Sequence, residues 1–203
     1  MTIPERALPA EDQWELLAEH NLSYYFHGLW VESDDREEVA RLLRVDPGTR
    51  LECDRETLVE MYQGRPADTV WIGPHAPGWT HVLAFGLYPF HPAIRNLGKR
   101  RVFEIRYDEA RYELEGMYVY YDGERLGDAE PPLEEGGPMF LPDYRRYAGG
   151  LALLDDLDLE RHAHRMLSMM GRISGRFLDR EWFAATRSLY RIPDGTWPEQ
   201  WEG

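Results

Sequence analysis

The sequence predicts one α+β domain, in which N-terminal helices and a C-terminal helix pair pack on an antiparallel sheet of about five strands. Three observations favour this class. The first third of the chain alternates short helical patterns with one apolar strand, the middle holds short aromatic and β-branched runs between turn residues, and the last part returns to a helical period. Because the connections between the middle runs are too short for parallel crossovers, we expect antiparallel neighbours.

The N-terminal third predicts three short helices around one strand. Apolar residues at helical spacing mark residues 11–20, a second helix from a Ser33–Asp34 cap to Asp46, and a third from an Asp54 cap to Gly64. Between the first two helices, the segment LSYYFHGLWV is apolar or aromatic on both faces. That pattern is typical of a strand inside a covered sheet.

The middle of the chain predicts a β-meander. Its strands are the runs DTVWIG (68–73), WTHVLAFGLY (79–88), RVFEIRY (101–107) and GMYVYY (116–121). The pair Asp122-Gly123 then favours a tight hairpin into a short strand near Arg125.

The C-terminal part predicts a long loop, two helices and a tail. Residues 129–150 are dense in proline and glycine, which favours a surface loop. Apolar residues at three- and four-residue spacing predict a helix over 158–177, and Asp179 can cap the next one. Residues 193–203 are expected to be an irregular tail of the single domain 1–203.

Composition excludes several classes of protein. The chain has 203 residues, a formal net charge of −14 and one cysteine, Cys53. The negative charge argues against binding to nucleic acid or to an anionic membrane, and one cysteine excludes an internal disulfide framework. The acidic start MTIPERALPAEDQWELL lacks the basic end and apolar stretch of a secretory signal. We therefore expect a soluble cytoplasmic protein.

Three stretches are similar to a known family. LSYYFHGLWVESDDREEVARLLRVDP, PGWTHVLAFGLYP and RMLSMMGRISGRFLDREWF resemble a family catalogued as domain of unknown function 6461, found in actinobacteria. The resemblance covers roughly residues 22–190 and rests mainly on the Gly78-Trp79 pair and on a helix break at Gly175. This chain departs from it at Phe85-Gly86, where an acidic residue and a glycine are expected. Since that family has no assigned activity, the resemblance implies the fold outline and a bacterial cytoplasmic setting, and no catalytic residue.

Motifs in the chain give no catalytic residue, metal site or cofactor. His75, His81 and His91 are six and ten residues apart, unlike the short ligand pairs of familiar zinc sites. No G-x-S-x-G elbow, P-loop or G-x-G-x-x-G is present. The sequence therefore predicts neither a catalytic residue nor a metal, and no cofactor.

The candidate binding residues are aromatic and polar side chains on the predicted strands. They are Trp79, His81, Glu104, Arg106, Tyr118 and Tyr120. Tyr118 and Tyr120 share one strand face, which lies either in a core or at an interface.

Three hypotheses about function follow. The first is a small acidic protein that binds another protein, one with a basic surface, as an inhibitor, immunity partner or accessory factor. The alternative is an enzyme or small-ligand-binding protein with a pocket between the sheet and the C-terminal helices, using His81, Glu104 and Arg106. A third hypothesis, mimicry of DNA by acidic side chains, would need carboxylates at phosphate-like spacing. The sequence does not indicate an oligomeric state.

Overall fold

One open antiparallel sheet organises the protein. The computed structural model describes residues 4–62, 69–85, 94–108, 113–129, 140–151 and 158–193. Its strands are β1 (Tyr25–Val31), β2 (Asp46–Cys53), β3 (Thr69–Ala76), β4 (Trp79–Phe85), β5 (Val102–Asp108), β6 (Glu113–Tyr121), β7 (Glu124–Asp128) and β8 (Arg187–Arg191). They are hydrogen-bonded in the order β2-β8-β3-β4-β1-β5-β6-β7.

Short helices connect and cover these strands. The α-helices are α1 (Gln13–Glu19), α2 (Arg36–Leu42), α3 (Arg55–Tyr62), α4 (Leu159–Ser174) and α5 (Arg180–Ala184). Two 3₁₀ helices cover Arg95–Leu97 and Pro142–Ala148. Among the helices in the described ranges, none is long and apolar enough to cross a membrane.

The mixed helix-and-sheet class and the single antiparallel sheet are confirmed, but the expected number of about five strands is wrong, because the sheet has eight. The two strands that local patterns did not predict, β2 and β8, pair with each other, for example Cys53 with Arg187. Neither segment 46–53 nor segment 187–191 is predicted as a strand from its own sequence pattern. Each becomes a strand because the other supplies its hydrogen-bonding partners, an effect of distant pairing that short local patterns do not encode.

Aspartate side chains cap the described α-helices, and two of these caps, Asp54 and Asp179, are the ones that the sequence predicts. The side chain of Asp54 accepts from the Thr57 amide at 2.9 Å, and that of Asp179 accepts from the Trp182 amide at 2.6 Å. The cap of α2 is Asp35, one residue later than expected. The neighbouring Asp34 carboxylate instead accepts from the Gly78 amide at 2.6 Å and ties α2 to the β3–β4 turn.

The sheet is covered on both faces. On the first, α1, α4 and α5 pack on a core that includes Trp30, Trp71, Leu83, Phe103, Met166, Met170 and Trp182; we call this the helix face. On the opposite face, α2 and the Arg95–Leu97 turn pack on a smaller, more aliphatic core that includes Leu29, Val39, Leu43, Ile72, Val82 and Tyr190; we call this the α2 face. The expected packing of the C-terminal helices on the sheet is therefore confirmed.

The predicted loop and tail are described only in part. Residues 130–139 and 194–203 lie outside the described ranges, as does 152–157. Within the loop, Pro142–Ala148 forms a 3₁₀ helix. The Arg172 guanidinium donates to the carbonyls of Ala7, Tyr147 and Gly149 at 2.7, 2.5 and 2.9 Å, which ties this helix and the N-terminal segment to α4.

Candidate functional site

Arg187 is a fully buried arginine at the start of β8. Its side chain has no solvent exposure and lies across Gly73 of the adjacent strand β3. A Cβ on Gly73 would stand 2.5 Å from the Arg187 Cγ and 2.7 Å from its Cδ. The absence of a side chain at position 73 is therefore what lets the arginine lie flat on the helix face.

Two tryptophans enclose the guanidinium. The Arg187 Cζ is 4.0 Å from the ring centroid of Trp182 and 4.9 Å from that of Trp71. The two indole rings stand 6.2 Å apart at 88°. These are cation–π contacts, which stabilise a desolvated cation but accept no hydrogen bond in its plane.

The Arg187 guanidinium forms no ion pair with a described residue. Its only described hydrogen bond is a long one, 3.4 Å from Nη2 to the Trp182 carbonyl. Nε and Nη1 are buried and find no acceptor in that part of the chain, and no ion pair involves this side chain there. Burial, followed by the charges of Arg176 and Arg36, lowers the pKa of Arg187 to about 9, and the Asp179 carboxylate opposes this shift only in part, so the group remains charged at neutral pH. A buried charge without a counter-charge is strongly destabilising.

His81 lies beside the arginine on β4 and is also unpartnered. It is fully buried, with its ring 4.5 Å from that of Trp30 and 4.9 Å from that of Trp182, both edge-on. Neither ring nitrogen has a hydrogen-bond partner among the described residues. Burial, followed by the charge of Arg187, holds the pKa of His81 well below its ordinary value. The imidazole is therefore neutral and offers one donor and one acceptor.

His75 is the second neutral imidazole of the cluster, and its tautomer is fixed. Its Nε2 is 3.0 Å from the Arg176 carbonyl and 2.9 Å from the Ser174 hydroxyl. A carbonyl can only accept, so the hydrogen-bond network assigns the proton to Nε2 and leaves Nδ1 as an acceptor. Nδ1 is buried and has no partner in the described ranges. Burial and the Arg187 charge lower the pKa of His75 to about 3.

A second glycine makes room for this cluster. A Cβ on Gly28 of β1 would stand 2.9 Å from the His81 Nε2. The indole nitrogens of Trp30 and Trp182 are also buried without a described acceptor. We call the set Arg187, His75, His81, Trp30 and Trp182 the Arg187 site. It places unused donors, two unused imidazole acceptors and one positive charge between the sheet and the C-terminal helices.

The six residues singled out from the sequence divide between the two faces. Trp79 and His81 lie in the helix-face core or against it. The other four, Glu104, Arg106, Tyr118 and Tyr120, lie on the α2 face, because Glu104 pairs with Leu29 of β1 whereas His81 pairs with the adjacent Trp30. Adjacent residues of a strand point to opposite faces. The structure therefore does not bring His81 together with Glu104 and Arg106.

The residues on the α2 face form a hydrogen-bonded core network. The Glu104 carboxylate accepts a hydrogen bond from the Tyr120 hydroxyl at 2.8 Å. Its other oxygen lies 2.8 Å from the His27 Nε2. Burial and the Glu104 charge raise the pKa of Tyr120. Tyr118 is half-buried, with the Arg125 guanidinium 3.5 Å from its ring centroid. The bonds of Glu104 with His27 and Tyr120 join β1, β5 and β6. A binding role for Glu104, Arg106, Tyr118 and Tyr120 stays a prediction.

Ser168, His164 and Asp12 lie next to one another between α1 and α4, but His164 does not have the tautomer that would activate the serine as a nucleophile. Ser168 Oγ is 3.4 Å from His164 Nε2, and His164 Nδ1 is 3.0 Å from an Asp12 carboxylate oxygen. However, the Gln13 amide donates to Nδ1 at 3.0 Å, which puts the proton of the neutral ring on Nε2. A general base needs the opposite tautomer, and Ser168 is fully buried. The set connects two helices.

Metal binding finds no support in the described residues. They contain no group of three or more His, Cys, Asp or Glu placed to hold an ion, and the rings of His75 and His81 are 6.2 Å apart. His91 lies outside the described ranges. The absence of metal and cofactor stays a prediction.

Comparison of the chain with protein-family models, with curated proteins and with solved structures finds no match. The resemblance to the family of unknown function stays a prediction.

Sequence reasoning missed the centre of the site. The sequence marks His81 as a candidate binding residue, but it marks His75 only as an improbable metal ligand and gives Arg187 no role. One signal was available in the segment RSLYR, where an arginine two residues before Leu189 shares its strand face. If this segment is read as a strand, Arg187 lies on its apolar face. An arginine is rarely buried, so this position indicates a site.

Proposed function

We propose that the protein binds a small anionic molecule in the Arg187 site. The observation that carries this proposal is a fully buried guanidinium whose Nε and Nη1 donors have no acceptor among the described residues. An anion beside it would supply the missing counter-charge and accept charge-assisted hydrogen bonds. This is the ligand-binding alternative from the sequence, with His81 retained and with Arg187 and His75 in place of Glu104 and Arg106.

The chemistry of the site favours binding over catalysis. A general acid or base works best when its pKa lies near the working pH, whereas burial lowers the pKa of His75 to about 3. The nearest thiol on the neighbouring strand, Cys53, is buried, and its pKa is raised by that burial. The groups at hand therefore orient and neutralise a ligand and do not activate one.

The test is a titration of the protein with two anions, acetate and phosphate. Binding is monitored by the shift in the thermal unfolding temperature and by the change in tryptophan fluorescence. Fluorescence is suitable because the Trp182 ring lies 4.0 Å from the Arg187 Cζ. We expect a saturable response to at least one probe, weakened at least about tenfold in Arg187→Met, since a hydrogen bond to a charged group contributes roughly 1.5–3 kcal/mol. Each point is read at equilibrium, because the site is buried and a ligand enters only when the structure opens locally.

The matched control is Arg50→Met, which removes the same charge from an exposed ion pair with Glu37 and Glu52. It should respond like the unmodified protein. If chloride at equal ionic strength produces the same response, or if Arg187→Met responds fully, the proposal fails.

Binding of a basic protein remains a second candidate, and one observation favours it. Tyr121 and Leu126, on the β6–β7 hairpin, are 42% and 49% exposed, on a chain of net charge −14. Trp79 and Tyr120, expected at such an interface, are buried, so the hairpin is the better location. A stoichiometric basic partner that is lost in Tyr121→Ala/Leu126→Ala and retained in the control Tyr24→Ala would support it; retention in both variants would not.

A further inference from the structure

We infer that the ligand of the Arg187 site is a small hydroxy acid, with its carboxylate at Arg187 and its hydroxyl at His75 and His81. This inference rests on the proposed anion-binding function and narrows it to one class of molecule. Two features of the site support it: its single positive charge, and the buried hydrogen-bond donors and acceptors that have no described partner.

The charge of the site favours a monoanion. Arg187 carries its one positive charge among the described residues, because His75 and His81 are both neutral. A carboxylate balances that charge. A phosphate carries a charge of about −1.5 to −2 at neutral pH, which would leave uncompensated negative charge against the indoles of Trp71 and Trp182.

The unused acceptors require a ligand that also donates. Arg187, Trp30 and Trp182 can only donate, and a carboxylate satisfies such groups. His75 Nδ1 can only accept, since its Nε2 proton is engaged by the Arg176 carbonyl, and one nitrogen of His81 is also an acceptor. A simple carboxylate leaves both acceptors unpaired, and a buried unpaired polar group costs roughly 1–3 kcal/mol.

A hydroxyl satisfies these acceptors better than an ammonium group does. It donates to one imidazole nitrogen and accepts from the N–H of His81. An ammonium group offers protons but no lone pair, and it would place a second positive charge beside the buried guanidinium of Arg187. An amino acid should therefore bind more weakly than the hydroxy acid of the same size.

The experiment compares glycolate, acetate, glycine and phosphate at one ionic strength on the intact protein. We expect glycolate to bind at least about tenfold more tightly than acetate, because a site with buried hydroxyl partners strongly rejects an analogue that lacks the hydroxyl. Glycine and phosphate should bind more weakly than glycolate. In His81→Leu, the preference for glycolate over acetate, measured as the ratio of the two affinities in that variant, should fall to about threefold or less.

The outcomes separate this inference from the proposed function. Equal binding of glycolate and acetate, or tightest binding of phosphate, would overturn the hydroxy acid and leave anion binding intact. Binding of no probe would overturn both and would mean that water alone completes the site. Should His81→Leu not fold, His75→Leu serves the same purpose, and the ratio of the two affinities in the unmodified protein decides by itself.

Discussion

Replacing Arg187 by methionine should stabilise the ligand-free protein. Burial lowers the pKa of this guanidinium from 12.5 to about 9, and at about 1.4 kcal/mol per pKa unit the charged form is disfavoured by about 5 kcal/mol. The two cation–π contacts with Trp71 and Trp182 return roughly 2–4 kcal/mol. Because methionine keeps most of the apolar stem, we expect a net gain of about 1–3 kcal/mol, in line with replacements of other buried charges.

The assay is urea unfolding at neutral pH in a buffer free of carboxylates and phosphate, followed by circular dichroism. The gain should appear as a higher midpoint with an unchanged denaturant slope. Arg50→Met, whose guanidinium group is exposed, should change the free energy of unfolding by less than about 1 kcal/mol. If Arg187→Met loses more than about 2 kcal/mol relative to this control, Arg187 is a structural brace, and the reasoning that assigns it to a ligand is refuted.

Three further perturbations test the site and its surroundings. Gly73→Ala should cost about 1–3 kcal/mol and abolish anion binding, because its Cβ would displace Arg187; Gly116→Ala, with no contact closer than 3.4 Å, should change neither. Lowering the pH should destabilise the protein, because the unfolded chain takes up a proton on His75 near pH 6.5 and the folded protein only near about 3. This difference in pKa lowers the free energy of unfolding by about 2 kcal/mol at pH 5. When urea unfolding is compared at pH 7 and pH 5, His75→Gln should therefore lose less stability between the two pH values than the unmodified protein does. Tyr120→Phe should cost about 1–3 kcal/mol in the same assay, because it removes a donor from the buried Glu104 carboxylate, whereas Tyr121→Phe at an exposed position should have no effect.

Local signals account for the parts of the fold that the sequence predicts. Neighbouring residues mark the cap at Asp179 and the presence of the strands β3 to β7. They do not give the strand order, and the expected meander is wrong at one point, because β1 lies between β4 and β5. The pair β2 and β8 depends on contacts such as Cys53 with Arg187, more than a hundred positions apart. A segment of five to eight residues takes its conformation from such a partner as much as from its own pattern.

The sequence predicts where the Arg187 site lies in the fold, but it does not predict which residues form the site. A pocket between the sheet and the C-terminal helices was one hypothesis, and His81 belongs to that face. Whether His81 faces Glu104 depends on the register of three strands, and a shift of one residue reverses the answer. Arg187 was missed because arginine normally lies at the surface, so its burial follows from a glycine on the adjacent strand and not from its own segment.

One short stretch of chain, residues 174–187, supplies two of the five residues of the Arg187 site, Trp182 and Arg187, and holds a third, His75, in place. The Arg176 carbonyl fixes the tautomer of His75, and its guanidinium donates to the His75 carbonyl and to the Asp179 carboxylate. Asp179 in turn caps α5, the helix that carries Trp182. A helix of five residues has little stability of its own, so its order depends on these contacts and on the packing of Trp182 against Arg187. If the proposed anion neutralises Arg187, we expect it to stabilise the same segment that encloses it, so that the order of α5 increases with occupancy of the site.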